Sequence, residues 1–377
     1  FMTHTINHAR LLFWSFTVAL GGFLFGFDTA VISGAEQAIQ AQWALSDALI
    51  GLMVSSALAG TVIGASFGGI PCDRYGRKVT LFWIGVLYLV SALGSALAPD
   101  VYSLMLFRFL GGLGVGASSV AAPVYISEIA PSGLRGRLTA MFQFNLVFGI
   151  LCAYLSNYGV ASAGGDWRIM LGVEAVPALL FVILILFVPR SPRWLITRRG
   201  AHDEARRVLT MIDPSRVEQA LAEIEHSHKQ KGQGSELREF LSGRYRWPIL
   251  LAFLFAFFNQ VSGINAVIYY APRIFSMAGM ESSAALLSSA GLGLVNLVFT
   301  LIGLALIDRF GRRFLMYIGS FGYILSLTSL ALIFHLEAFG GSLVPLLIFV
   351  FIASHAIGQG ACIWVFIAEI FPNSVRG

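Results

Sequence analysis

Two charged side chains lie inside apolar stretches that are long enough to cross a membrane. Asp28 lies near the end of residues 11–32, and Arg108 lies within residues 101–126. An ionisable group inside a membrane-spanning helix costs roughly 3 kcal/mol unless a partner or a water-filled cavity compensates it. Counted from the predicted helix ends at about 1.5 Å per residue, both groups lie about 10 Å below the same surface. We therefore predict an Asp28–Arg108 ion pair; the alternative is that each charge is satisfied separately, with Arg108 extending to the surface.

The composition is that of a membrane protein. Of the 377 residues, 57% are hydrophobic and only 12% are charged, whereas soluble domains contain about 25% charged residues. A soluble domain of this composition would expose large apolar patches. The apolar runs predict an all-α polytopic membrane protein with ten spans. The predicted spans are 11–32, 48–70, 79–98, 101–126, 138–158, 169–188, 247–270, 284–307, 314–334 and 343–367.

One polar insert, residues 191–246, separates the predicted spans into two groups. Residues 203–212 and 216–228 within it have helical periodicity and charged faces, so we expect short cytoplasmic helices in a linker. All but three of the 25 Lys and Arg residues (Arg108, Arg168 and Arg273) fall at the N-terminus, in even-numbered loops, in the insert or at the C-terminal end. The positive-inside rule therefore places the N-terminus and the linker in the cytoplasm of a multi-pass protein of the cell membrane.

Two segments of the sequence recur. Residues 73–78 (Asp-Arg-Tyr-Gly-Arg-Lys) reappear as residues 308–313, and residues 128–136 reappear as residues 369–377. Each copy follows the corresponding span, which is the organisation of a transporter with two repeated halves. We predict a six-helix half at 1–190, the linker at 191–246 and a second half at 247–377. The second half contains four spans, so two further spans are expected and the chain is interpreted as C-terminally truncated.

The repeated segments place charges of both signs at the predicted cytoplasmic ends of the helices. A salt-bridge latch there would hold one access state and break in the other; the alternative is simple positive-inside anchoring. The predicted gate consists of Asp73, Arg77, Glu128, Arg135, Asp308, Arg312, Glu369 and Arg376.

These motifs resemble the sugar porter branch of the major facilitator superfamily, and the resemblance covers all 377 residues. Its hallmarks include residues 22–29 (Gly-Phe-Leu-Phe-Gly-Phe-Asp-Thr), both Asp-Arg-x-Gly-Arg turns, residues 189–195 and residues 260–265 (Gln-Val-Ser-Gly-Ile-Asn). One departure is Arg190, where the family usually has Glu.

The resemblance implies a sugar-binding site of neutral amides and aromatic side chains. Amides both donate and accept hydrogen bonds, which suits alternating sugar hydroxyls, and an indole offers its face to the sugar ring. Without the resemblance, interhelical hydrogen bonds explain each amide equally well. The positions implied are Phe25, Gln143, Asn259, Gln260, Asn265, Tyr269, Asn296 and Trp364, with Asn259 where the family commonly has a second Gln.

The resemblance also implies proton coupling. Proton-coupled sugar porters have an Asp at the position of Asp28 and an Arg at the position of Arg108, whereas facilitative animal carriers typically have Asn at the first position. Since Asn has no titratable form near neutral pH, we predict symport of a monosaccharide, hexose or pentose, with a proton. Glu174 is a candidate second acidic site. A facilitative uniporter and a non-transporting sugar sensor are the alternatives.

Other function classes have no support in the sequence. Residues 112–116 resemble a dinucleotide-binding loop but lie inside an apolar span without a preceding strand, so no nucleotide site is expected. Neither a catalytic nucleophile nor a metal-ligand spacing is present, and we expect no enzyme activity, no cofactor and no nucleic-acid partner. The glycines at positions 60, 64 and 68 predict a face for close helix packing. The expected functional unit is a monomer in a lipid bilayer.

Overall fold

Ten helical spans in the computed structural model are long and apolar enough to cross a membrane. The structure describes residues 7–131, 133–231, 243–337 and 343–370, and this described part contains helices and turns but no strand. The prediction of an all-α protein with ten spans is therefore confirmed. The chain divides into two compact units, Phe1–Gln230 and Lys231–Gly377. The predicted boundaries of the linker, at residues 190 and 246, stay predictions.

The described part of the first unit contains six spans, formed by seven helices. A short helix, α3, precedes the third span, and two helices, α7 and α8, share the sixth. The helices are α1 (His8–Trp43), α2 (Asp47–Phe67), α3 (Gly69–Tyr75), α4 (Arg77–Leu97), α5 (Val101–Ile129), α6 (Arg135–Ser162), α7 (Trp167–Gly172) and α8 (Ala175–Ile185).

Helix α1 is the central helix of this unit. Val18, Leu24 and Ala30 are completely buried, as expected of a helix that is apolar on all sides. The helix begins at a cap in which Asn7 accepts from the backbone N–H of Arg10. It ends where Ala44 adopts a left-handed conformation, eleven residues beyond the predicted end at residue 32. The prediction was too short because Glu36 and three Gln residues lower the hydropathy of residues 35–43, although Ala, Glu and Gln are strong helix formers.

Glycines allow the helices of the first unit to pack with their backbones in contact. A Cβ atom added to Gly26 of α1 would lie 1.8 Å from the carbonyl oxygen of Leu146 in α6, and one added to Gly149 would lie 2.1 Å from that of Phe23. Helices α2 and α5 meet in the same way, since a Cβ at Gly60 would lie 2.2 Å from the carbonyl oxygen of Phe109. Small residues permit such close approach in membrane helices.

The insert after α8 folds into two longer helices, α9 (His202–Ile212) and α10 (Val217–Lys231). They lie close to the predicted segments 203–212 and 216–228. A small apolar core that includes Trp194, Ala205 and Leu221 holds them together.

The second unit contains four spans. Its helices are α11 (Arg246–Val261), α12 (Ile264–Met277), α13 (Ser282–Phe310), α14 (Arg312–His335), α15 (Leu343–His355) and α16 (Ala361–Ile370), with a π-helical turn at Ala356–Gly360 between the last two. Helices α11 and α12 form one span that breaks at Ser262 and Gly263, where Gly263 has φ +83°.

Two of the predicted spans are present but each consists of two helices. The sixth, predicted at 169–188, divides into α7 and α8 at Val173 and Glu174, whose dihedral angles stay in the right-handed helical region. The seventh, predicted at 247–270, is interrupted at Gly263 and extends to Met277. Hydropathy reports which residues avoid water but not whether the backbone stays helical through them.

We expect Gly149→Val to disrupt the contact between α1 and α6, because the new side chain would overlap the backbone of Phe23. Overpacking of this kind costs about 1–3 kcal/mol, which corresponds to a fall of about 5 °C or more in the apparent melting temperature. Gly159→Val in the same helix is the control, since nothing lies within 4 Å of a Cβ there. Thermal unfolding of detergent-solubilised protein tests this, and equal melting temperatures for the two variants would contradict it.

Candidate functional site

Asp28 and Arg108 form an ion pair inside the first unit. The guanidinium Nη1 of Arg108 lies 3.7 Å from Oδ1 of Asp28, and Nη2 donates to the backbone carbonyl oxygen of Asp28 at 3.5 Å. The two side chains are 2% and 3% exposed. The structure thus brings together the residues predicted to pair, and excludes the alternative in which Arg108 extends to the surface.

Local backbone features position the pair. Asp100 caps α5 by accepting from the backbone N–H groups of Tyr102 and Ser103, and Arg108 follows two turns later. The N–H of Ser103 is the main reason why the pKa of the Asp100 carboxyl lies below its usual value. A Cβ on Gly111 would lie 2.4 Å from Oγ of Ser91 and 3.5 Å from Oδ1 of Asp28, so α5 closes directly over the carboxylate.

Glu174 is the second buried acid of this site. It lies at the break between α7 and α8, is 2% exposed, and experiences the charges of both Asp28 and Arg108. Its Oε1 atom has no hydrogen-bond partner among the described residues.

The charges of this buried triad do not balance when both acids are ionised. Asp28 and Glu174 would carry two negative charges against the single positive charge of Arg108. An uncompensated ion in a protein interior costs several kcal/mol, so the triad is most stable when one of its two carboxyl groups is protonated. The arrangement can therefore bind and release one proton.

The candidate sugar residues of the first unit, Phe25 and Gln143, are both half-buried. Phe25 lies in α1 one turn before Thr29, whose hydroxyl donates to the carbonyl oxygen of Phe25. Gln143 lies in α6, the helix that packs on α1 through Gly149.

The amides of the second unit gather at the helix break. Asn265 Nδ2 donates to Gln260 Oε1 at 2.6 Å across the interruption at Gly263. Asn259 is buried, and its Oδ1 atom has no partner in the described part of the chain. A break in a spanning helix leaves its flanking polar groups free to face a ligand.

The remaining candidates of the second unit are more enclosed. Tyr269 of α12 is 5% exposed, and Asn296 of α13 is 8% exposed. The Thr300 hydroxyl lies 3.5 Å from Asn296 Oδ1. Trp364 belongs to α16, but its side chain lies outside the described residues.

The predicted gate residues of the first unit form a connected cluster. Arg77 lies 3.1 Å from Asp73 and 2.9 Å from Glu128. Ser191 donates to the other oxygen of Glu128 at 2.5 Å. Arg135 does not join Glu128: it is exposed at the start of α6 and has no ion pair in the described part of the chain.

Only part of the repeated cluster in the second unit can be compared. Arg312 begins α14 at the position that Arg77 has in α4. The side chains of Asp308 and Glu369, and the whole of Arg376, lie outside the described residues.

Sequence reasoning missed several partners of these residues. Trp194 donates from Nε1 to the carbonyl oxygen of Asp73 at 3.0 Å, and its ring lies against Gly76, which has φ +92°. The motif at 189–195 signalled their importance but not their partners.

Glu36 lies beyond the predicted span 11–32, yet it is completely buried in α1. Arg190 pairs with Glu204 at 3.9 Å, so its departure from the family pattern does not leave it without a partner.

The sequence and fold match known transport proteins along nearly the whole chain. A family model described as "Sugar (and other) transporter" matches residues 14–377. The arabinose-proton symporter of Bacillus subtilis is 38% identical over 382 residues, covering 99% of this chain and 82% of the relative. The D-xylose-proton symporter of Escherichia coli K12 is 36% identical over 413 residues, covering 100% and 82%. Among solved structures, the xylose transporter XylE from E. coli, partially occluded and inward open, matches with a TM-score of 0.86 at 34% identity, covering 98% of this chain and 87% of that one.

We expect Arg77→Gln to destabilise the protein, because it leaves the buried Glu128 carboxylate with Ser191 alone. Breaking a buried ion pair costs about 3–5 kcal/mol, or about 6 °C or more in apparent melting temperature. Arg198→Gln is the control, since Arg198 is 60% exposed and lies 4.0 Å from Asp73. Adding Glu128→Gln to Arg77→Gln should restore part of the loss; no restoration in thermal unfolding would contradict the pairing.

Proposed function

This chain belongs to the sugar transporter family of the major facilitator superfamily, whose members are membrane transporters and not enzymes, and we propose that it imports a monosaccharide together with a proton. The substrate is a pentose or a hexose, and transport proceeds by alternating access. The relatives that support this are symporters of arabinose and of xylose.

The buried triad carries the proposal. An apolar interior that holds two carboxyl groups and one guanidinium favours one bound proton, because the remaining carboxylate then balances Arg108. Protonation of Asp28 weakens its attraction to Arg108, and the released guanidinium can turn to Glu174. The access state then changes only when Arg108 leaves Asp28 for Glu174. This requirement couples proton movement to sugar transport.

The polar residues of the second unit suit a neutral polyol. Gln260 and Asn265 each present donors and acceptors next to the break at Gly263, and no charge must be desolvated when a sugar replaces water there. Asn259 and Asn296 of the same unit add amides of the same kind, and Tyr269 adds an aromatic ring. Gln143 and Phe25 are the corresponding candidates of the first unit, and Trp364 is retained from the sequence resemblance.

The cluster around Glu128 is proposed to act as the cytoplasmic gate. Asp73 and Arg77 come from the segment between the second and third spans, whereas Glu128 ends α5 and Ser191 follows α8. Bonds between these elements stabilise one arrangement of the helix ends, and a conformational change that separates the elements must break them.

The asymmetry of Lys and Arg supports a cytoplasmic N-terminus and a cytoplasmic insert in the inner or plasma membrane. The proposed functional unit is a monomer, since both the proton-binding groups and the sugar-binding amides are supplied by one chain.

Asp28→Asn should abolish accumulation of sugar against its gradient, because an amide cannot take up the coupling proton. Exchange of labelled for unlabelled sugar should persist, since Glu174 remains to balance Arg108. Uptake and counterflow in proteoliposomes with and without an imposed pH gradient measure the two activities, using arabinose, xylose and glucose. Asp203→Asn in the exposed insert is the control. Undiminished accumulation by Asp28→Asn would favour a facilitative uniporter in which this residue is structural.

Asn265→Ala should weaken sugar binding about tenfold, the effect of losing one or two hydrogen bonds of about 1 kcal/mol each. Ser276→Ala, in the same helix α12, is the matched control. The half-saturation concentration for sugar counterflow is the measurement. An unchanged value for Asn265→Ala would remove this residue from the proposed sugar site.

A further inference from the structure

Five buried hydroxyl groups in the described part of the first unit have no hydrogen-bond partner of good geometry: those of Ser15, Thr17, Tyr88, Ser95 and Ser118. Three of them, Tyr88 of α4, Ser118 of α5 and Thr17 of α1, are completely buried and follow one another from the charged triad. Buried polar side-chain atoms are normally hydrogen-bonded, so this series calls for a physical explanation.

Tyr88 connects the first of these groups to the charged triad. Its ring lies against α5, where a Cβ on Gly114 would be 3.7 Å from the ring carbon Cδ2. Gly114 lies one turn beyond Gly111, which packs over Asp28. The charges of Asp28 and Glu174 act on the Tyr88 hydroxyl. The Ser118 hydroxyl lies close enough to interact with that of Tyr88, although the two groups do not have the geometry of a hydrogen bond.

Ser118 and Thr17 continue the series away from the triad. Ser118 follows Arg108 by ten residues, about 15 Å along α5. A Cβ on Gly21 of α1 would lie 2.6 Å from Ser118 Oγ, so Gly21 faces Ser118 directly. Thr17 lies one turn before Gly21 on the same face of α1. The series therefore leads toward the end of the unit where α1 begins, which the charge asymmetry predicts to be cytoplasmic.

The surroundings of this series are apolar. Ile84, Val115 and Phe181 are buried in the same cluster as Tyr88, and they offer no hydrogen bond. Hydroxyl groups both donate and accept, and water molecules commonly bridge buried polar groups that lack protein partners. Hydroxyls joined by such waters form a path along which a proton can move.

We propose that Tyr88, Ser118 and Thr17 form a proton path from the triad to the cytoplasmic side within the first unit. This inference rests on the proposed function, and it adds a route for the coupling proton within the first unit. At each step an oxygen accepts a proton and releases another to the next oxygen, so one O–H bond forms for each that breaks. The net result is the loss of one proton from the carboxyl pair, with no change of oxidation state.

The test compares Tyr88→Phe, Ser118→Ala and Thr17→Val in the full chain, reconstituted in proteoliposomes. Sugar-driven proton movement, followed with a pH-sensitive dye, should slow about tenfold or more, the scale on which a positioned proton-transfer group acts. Sugar counterflow, which needs no net proton movement, should stay within about twofold of the parent. The apparent melting temperature should stay the same or rise, since each substitution removes an unsatisfied buried group.

Two equally buried hydroxyls that have partners are the controls. Ser33 of α1 donates to the carbonyl oxygen of Ala30 at 2.7 Å, and Tyr125 of α5 donates to that of Pro189 at 2.8 Å. Ser33→Ala and Tyr125→Phe should lower the melting temperature while leaving the ratio of proton movement to counterflow unchanged.

The outcomes separate this inference from the proposed function. A parent protein that moves sugar without protons overturns the proposed function and the path with it. A parent that couples the two, with unchanged proton movement in all three path variants, overturns the path alone. A lower melting temperature with equal slowing of proton movement and counterflow also overturns it, because that pattern indicates a structural role.

Discussion

The balance of charge in an apolar interior is the constraint on which the first unit depends. Asp28, Glu174 and Arg108 are all nearly inaccessible to solvent, so none of them can be stabilised by bulk water. Removing any ion from water costs several kcal/mol, and only close opposite charges recover that cost. The helices α1, α5 and the α7–α8 pair must therefore meet where these residues lie, which fixes their mutual rotation and depth more tightly than apolar contacts can.

Close packing of helix backbones separates this site from bulk water. Gly111 leaves room for Ser91 and Asp28 where any larger residue would push α5 away, and the glycines between α1 and α6 close the opposite side of α1. The same packing lowers the local dielectric constant, and electrostatic interactions strengthen as that constant falls. The stability of the contact between these helices therefore depends on the protonation state of the triad. The small residues thus contribute to function by excluding water rather than by touching a ligand.

The sequence predicted the number of spans and the Asp28–Arg108 pair because both follow from free energies of transfer. Apolar runs of sufficient length, and isolated charges within them, can be recognised in the amino-acid sequence alone. The break at Gly263 was missed because hydropathy does not report backbone geometry. The extension of α1 to Trp43 was missed because Glu and Gln alternate with apolar residues in its last turns, and the buried Glu36 therefore lay outside the predicted span.

The sequence also did not predict which charged residues pair with one another. Glu128 and Arg135 are close in sequence, yet Glu128 pairs with Arg77 and Ser191, which come from two other segments. Such selection among several nearby charges depends on the tertiary arrangement of helix ends. The motif containing Ser191 and Trp194 was recognisable, but the acceptors of their hydrogen bonds, Glu128 and the backbone of Asp73, could be identified only in three dimensions.

The proposed coupling needs no direct contact between the proton and the sugar. The triad belongs to the first unit, and Gln260 and Asn265 belong to the second. On the proposed function, a proton bound at Asp28 can influence sugar movement through the access state of the protein. Coupling requires only that protonation and sugar binding favour the same access state. Two ligands that bind one conformation more tightly increase each other's affinity, even without touching. The buried charge balance supplies such a preference, because an arrangement that keeps Arg108 close to a carboxylate is stabilised over one that isolates it.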